Sequence, residues 1–206
     1  MKSSIKKYCD ELIHEFNSIS PERKKILEQI SEYISSRKKQ NKEINLIYIC
    51  THNSRRSHFG QIWAKVAAQY FNISHVNTFS GGTEVTAFNQ NAINALLRIG
   101  FDIQKRSEDK NPIYDVTFDD VQEPCKCFSK VYNDITNPQK EFAAIMTCSD
   151  AEENCPFIPG VDLRIGTTYE DPKAFDNTPK QDSAYDERCR QIAKECLYVF
   201  SEVKKI

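Results

Sequence analysis

The chain has 206 residues, 39% hydrophobic and 28% charged, the balance of a globular protein that can bury a real core. Its 28 Lys and Arg against 29 Asp and Glu leave a net charge of −1, which argues against nucleic-acid binding through a broad basic surface. No run approaches the roughly 18 apolar residues of a membrane span, and the N-terminal MKSSIKKYCDELIHEF has lysines but no apolar core, so the expectation is no secretory signal, no membrane partner and a cytoplasmic setting.

Ile5, Tyr8, Cys9, Leu12, Ile13 and Phe16 share one face of a helix expected over 3–18. Ser20-Pro21-Glu22 then supplies an N-cap, a proline at the first helical position and an early acid. The second helix carries Ile26, Leu27, Ile30, Tyr33 and Ile34 on one face, so residues 1–42 form a helical hairpin that covers the sheet or makes a dimer contact. INLIYIC at 44–50 is a near-continuous apolar run, expected as a strand buried on both faces. A polar loop follows, then a helix with Ile62, Trp63, Val66, Ala67 and Tyr70 inward.

HVNTFS at 75–80 is the second strand, and Ala92, Ile93, Leu96 and Leu97 mark a helix closed by Gly100. This β-α-β-α order implies parallel strands and right-handed crossovers. The pattern breaks over 104–141, where 113–118 and 128–132 are expected as two strands about a turn at Pro124, a β-hairpin insertion. FAAIMTC at 142–148 resumes the core, followed by a polar loop over 149–160 and a short strand near 161–166. An acidic, proline-bearing loop at 168–180 leads to a closing helix from Ser183, with Tyr185, Cys189, Ile192, Ala193, Cys196, Leu197, Phe200 and Val203 on its buried stripe. The expected fold is α/β: a parallel four-stranded sheet flanked by helices, with the hairpin extension at 1–42 and a domain at 43–206 that carries the insertion at about 105–141.

Eight cysteines in such a chain are expected as reduced thiols, with Cys9, Cys189 and Cys196 as packing residues. Cys50 stands apart. It ends the first strand and opens the loop Cys50-Thr51-His52-Asn53-Ser54-Arg55-Arg56-Ser57 ahead of a helix. A loop in that setting turns backbone N–H groups and the positive end of a helix dipole toward its mouth, which favours a thiolate and holds an oxyanion over it. Arg56 adds a planar fork for two oxygens of phosphate or arsenate. Ser57 is positioned to donate to the thiolate and Asn53 to lock the loop. Asp171, before Pro172, is either a turn former or a carboxylic acid that protonates a leaving oxygen; Glu170 is the alternative acid.

CTHNSRRS resembles the phosphate-binding loop of low-molecular-weight protein tyrosine phosphatases and thioredoxin-coupled arsenate reductases. The resemblance continues in FSGGTE at 79–84, NAINALLRIGFDI at 91–103 and YEDPKAFD at 169–176. It implies Cys50 as nucleophile, Thr51, His52, Asn53, Ser54, Arg55 and Arg56 as the oxyanion cradle, and Asp171 as acid and base. MTCSDAEENCPFIPG at 146–160 is similar to the redox segment of the reductase branch, and implies that Cys148 attacks the Cys50 adduct and Cys155 resolves the resulting disulfide. The implied substrate is arsenate, phosphate or phosphotyrosine; the implied reductant is thioredoxin, with no tightly bound cofactor.

Three departures stand out. His52 takes a position usually held by glycine, where a left-handed backbone would cost about 1 kcal/mol or more. Arg55 adds a charge at the loop, and Gln61 replaces an acid that binds potassium in many such reductases. Arsenate reduction is the favoured expectation, phosphotyrosine hydrolysis the alternative, and a non-catalytic phosphate sensor the third. A four-thiolate zinc site of Cys125, Cys127, Cys148 and Cys155 is the metal alternative, and the expectation is no metal.

Overall fold

The computed structural model describes residues 1–154 and 157–204. Helices α1 (Ser3–Ile13) and α2 (Pro21–Lys39) precede β1 (Ile44–Cys50), α3 (Arg56–Tyr70), β2 (Val76–Gly82) and α4 (Gln90–Ile99). Three short strands follow, β3 (Asp102–Lys105), β4 (Tyr114–Thr117) and β5 (Cys125–Cys127), then β6 (Phe142–Met146), α5 (Ser149–Asn154), β7 (Val161–Gly166) and α6 (Gln181–Lys204).

The parallel sheet runs β2-β1-β6-β7. Its central strand is apolar on both faces, as the unbroken run over 44–50 requires. Leu46 and Tyr48 enter the core shared with α3 and α6, while Ile47 and Ile49 pack on the opposite face with Ala144, Met146 and Ala151. The chain leaves β1 for β2 on one side and later returns to β6 on the other. The C-terminal end of β1 is therefore the crevice where ligands settle in open α/β sheets. Both N-terminal helices pack on α6, and Ile5, Cys9, Leu12, Leu27, Ile30 and Ile34 join its core. Ser20 Oγ accepts from the Arg23 amide at 3.2 Å, the expected N-cap of α2, and Gly100 closes α4 at φ 109°.

Local boundaries differ from expectation in three places. The first helix ends at Ile13, and a separate 3-10 turn covers Phe16–Ser18. Residues 149–154 form α5 instead of loop; Cys148 Sγ accepts from the Ala151 amide at 3.4 Å, and Asp150 and Glu152 lie in the first turn, where acidic residues favour a helix. The insertion is a three-stranded antiparallel sheet, β3-β4-β5, whose last strand is Cys125–Cys127 and not 128–132. The later stretch is extended, but its hydrogen bonds go to the end of β2: Gly82 N donates to Lys130 O at 2.8 Å and Tyr132 N to Gly82 O at 2.9 Å. Propensity marks an extended segment; the partner strand is a matter of tertiary context.

Candidate active site

The loop after β1 is polarised by its hydrogen bonds. The carbonyls of Cys50, Thr51, Ser54 and Arg55 accept from the amides of Thr83, Glu84, Asn89 and Phe59 at 2.8–3.3 Å. The His52 carbonyl takes the hydroxyls of Ser129 at 2.9 Å and Thr86 at 3.1 Å. Among the described residues, none of the amides from Thr51 to Ser57 has an acceptor. Carbonyls tied off outside and amides unpaired inside make an anion-binding nest at the start of α3. Gly82 allows this packing, because a Cβ there would meet Thr51 O at 2.7 Å and Asn53 N at 2.8 Å.

Cys50 lies at the floor of the nest, its sulfur 3.1 Å from Ser57 Oγ. Ser57 Oγ accepts from Asn53 Nδ2 at 2.9 Å, which leaves its own proton free to donate to a Cys50 thiolate. Asn53 also accepts from the Lys130 amide at 3.0 Å and sits at φ 43°. This corrects the expectation of strain at His52. The left-handed position is one residue later, in an asparagine, which tolerates it better than most. His52 turns outward, its Nε2 3.4 Å from Glu84 Oε2, and Ser54 Oγ is bound to Ala87 O at 2.7 Å.

Arg56 and Arg55 both reach Asp171. Arg56 Nη2 donates to Asp171 Oδ2 at 2.8 Å and Nη1 to the Tyr169 carbonyl at 2.7 Å. Arg55 Nη2 donates to the same carboxylate oxygen at 3.1 Å. Burial would raise the Asp171 pKa, but the guanidiniums of Arg56 and Arg55 and the Lys173 amide hold it below the usual carboxylate value. Arg56 Nε is buried and without an acceptor among the described residues. Glu170 is exposed, and the Asp171 carboxylate is the one that contacts the loop arginines.

Cys148 stands beside the same loop, its sulfur 3.4 Å from Thr51 Oγ1. Cys155 lies outside the described residues. Cys125 and Cys127 belong to the core on the α3 face of the sheet and Cys148 to the core on the other face, so those thiols do not gather as the zinc alternative requires. Among the described residues, no three His, Cys, Asp or Glu side chains cluster as a metal site.

Several contributing residues carry no local signal. Ser129 and Lys130 brace the loop from the insertion, and Asn111 holds Ser129 through paired bonds at 2.7 and 3.0 Å. His58, in the first turn of α3, is fully buried with Nδ1 3.2 Å from Ser80 Oγ. Burial, with the Lys130 ammonium, pushes its pKa down to about 3, so it is neutral. Gln61 turns to the insertion and donates to Lys126 O at 3.2 Å.

No family model matches the chain. The arsenate reductase of Bacillus subtilis (strain 168) is 28% identical over 160 residues, covering 78% of this chain and 96% of the relative. That of Bacillus licheniformis is 26% identical over 161 residues, covering 76% and 94%. Two solved structures share the fold at 12% identity. A YwlE mutant from Bacillus subtilis has a TM-score of 0.54 and covers 79% of this chain and 99% of its own. A low-molecular-weight phosphotyrosine phosphatase from Vibrio cholerae O395 has a TM-score of 0.51, covering 77% and 95%. In sequence the chain is similar to arsenate reductases, it shares the fold of low-molecular-weight protein tyrosine phosphatases, and it is an enzyme.

Proposed function

We propose that the protein is a cysteine-nucleophile enzyme acting on phosphate-like oxyanions, and that arsenate is its substrate in preference to a phosphate ester. One observation carries the first part. Among the described residues, the amides of Thr51 to Ser57 and Arg56 Nε lack acceptors, beside a cysteine sulfur 3.1 Å from the Ser57 hydroxyl. A tetrahedral anion satisfies those donors together and sits in line with the sulfur. The anion competes with Asp171 for Arg56. Once displaced from the guanidiniums, the carboxylate regains affinity for a proton and can give it to the departing oxygen.

In the reductase reading, Cys50 forms a bond to arsenic as an oxygen leaves as water, its proton drawn from Asp171. Cys148 then attacks the Cys50 sulfur. The S–As bond breaks, its electron pair stays on arsenic, and arsenite departs from a Cys50–Cys148 disulfide. Cys155 attacks Cys148 and frees Cys50, and an external dithiol of the thioredoxin type reduces Cys148–Cys155. The nearness of Cys148 to Thr51 and the names of the sequence relatives support this branch. Such a relay needs thiols kept reduced, which supports a cytoplasmic setting. The second reading, hydrolysis of a phosphotyrosine-like monoester, is supported by Asp171 at the loop mouth, since an ester oxygen leaves poorly without a proton.

Arsenate reduction with a thioredoxin system and aryl phosphate hydrolysis are measured for wild type, Cys50→Ser, Cys148→Ser and Cys155→Ser. The reductase branch requires arsenate turnover that disappears in all three variants. If Cys148→Ser retains it, the relay is wrong; hydrolysis lost only in Cys50→Ser selects the phosphatase branch.

A further inference from the structure

A buried cluster behind the acid segment joins it to the N-terminal hairpin. Glu195 of α6, 4% exposed, accepts from Arg23 of α2 through Nε at 3.1 Å and Nη2 at 2.7 Å, and from the Tyr169 hydroxyl at 2.8 Å. Arg23 Nη2 also donates to Thr167 O at 2.8 Å, and its guanidinium lies 4.8 Å from the centre of the Tyr169 ring. The same guanidinium thus grips the start of the acid segment, the ring two residues on, and the carboxylate that fixes that ring. The Tyr169 carbonyl, at the other end of the residue, accepts from Arg56. Two residues further is Asp171.

We propose that Arg23 is a positioning residue for the acid step, setting through Glu195 and Tyr169 where Asp171 stands relative to Arg56; the inference rests on the acid role proposed above. The chemistry suits an arginine. Its planar fork serves a carboxylate and a carbonyl at once while its face covers a ring, which a lysine ammonium cannot do. A buried carboxylate left without its cation would re-pair or repel, and the Tyr169 anchor would shift with it. The role given to α2 is thereby catalytic alignment as well as coverage of α6. Arg23 sits in the first turn of α2, where the Ser20 cap fixes the backbone from which it reaches across.

The test is a double-mutant cycle. Wild type, Arg23→Ala, Asp171→Asn and the double variant are compared by kcat/KM on whichever oxyanion the wild type turns over, arsenate or an aryl phosphate. Arg23→Ala is expected to lower kcat/KM about tenfold, as for a displaced general acid, but less than about twofold in the Asp171→Asn background. Arg23→Lys is expected to recover part of the loss, and Tyr169→Phe to reproduce its direction. Arg190→Ala removes a different ion pair of α6, that with Glu15, and serves as the control for general loosening, with no change expected. Equal losses from Arg23→Ala in both backgrounds, or a matching loss in Arg190→Ala, overturn the positioning role and leave the proposed function standing. A wild type that turns over no oxyanion overturns the proposed function and this inference with it.

Discussion

The Cys50 loop and the Asp171 segment face each other across the same gap but are held by different forces. The loop from Cys50 to Ser57 is fastened by neutral hydrogen bonds on its outer side, from the turn after β2, from the segment before α4, and from Ser129 and Lys130 of the insertion. Segment 167–171 has two backbone anchors, Thr167 N to Met146 O at 2.8 Å and Tyr169 N to Thr147 O at 3.1 Å. Its tip is held by charge, through Asp171 on Arg56 and Arg55. The first arrangement prepares a rigid cradle before substrate arrives. The second is a contact that another anion can take over. One side of the site is built and the other is exchangeable.

Each half of that contrast can be broken. The largest effect is expected from Cys50→Ser, with turnover down by about 10⁴-fold or more while phosphate still binds, read by calorimetry. Lost phosphate binding in that variant would mean that the sulfur, not the amide nest, holds the anion. Asp171→Asn is expected to lower turnover about 10²- to 10³-fold and yet tighten phosphate binding several-fold, because the arginines lose their internal competitor; weaker binding would show that Asp171 is part of the cradle. Ser129→Ala removes the donor to His52 O and the acceptor for Thr86 N. It is expected to cost about 1–2 kcal/mol in unfolding free energy and to lower kcat/KM through a loosened loop, whereas an unchanged kcat/KM would move the brace out of the site.

The smallest effect concerns pH. A carboxylate whose folded pKa is depressed adds stability above its unfolded value of about 3.9, and that stability is lost as pH falls through the folded value. Asp171 is of this kind, held down by Arg56 and Arg55 against burial. Wild type is therefore expected to be more stable than Asp171→Asn at neutral pH, and the two melting temperatures are expected to converge as pH drops below about 4. A gap that persists into acid would indicate that packing and not charge closes the segment.

The contrast also explains what was legible in the sequence. Cys50, Asn53, Arg56 and Ser57 fall within one strand, loop and helix, so spacing alone suggests their meeting, and the parallel strands follow from the periodicity around them. Asp171 was marked by its proline. The braces were not visible, since Ser129 reaches His52 across 77 positions and Arg23 reaches Glu195 across 172. Neither residue type at either place implies a partner. The misread strand at 128–132 has the same cause, an extended segment whose ladder lies on a distant edge. His52 misled in the opposite direction, because a motif position does not fix which residue of a loop bears the positive φ.

The burial of the other thiols has a consequence for electron traffic. Burial pushes Cys9, Cys189 and Cys196 up to about 12 and Cys125 up to about 11, and it holds Cys127 above the ordinary thiol value. A protein that passes electrons between sulfurs risks short circuits whenever a spare thiolate can join the exchange, and a protonated thiol sealed in hydrocarbon cannot. In the proposed relay the core would also serve as insulation, leaving Cys50 and Cys148 as the described sulfurs that border the anion nest.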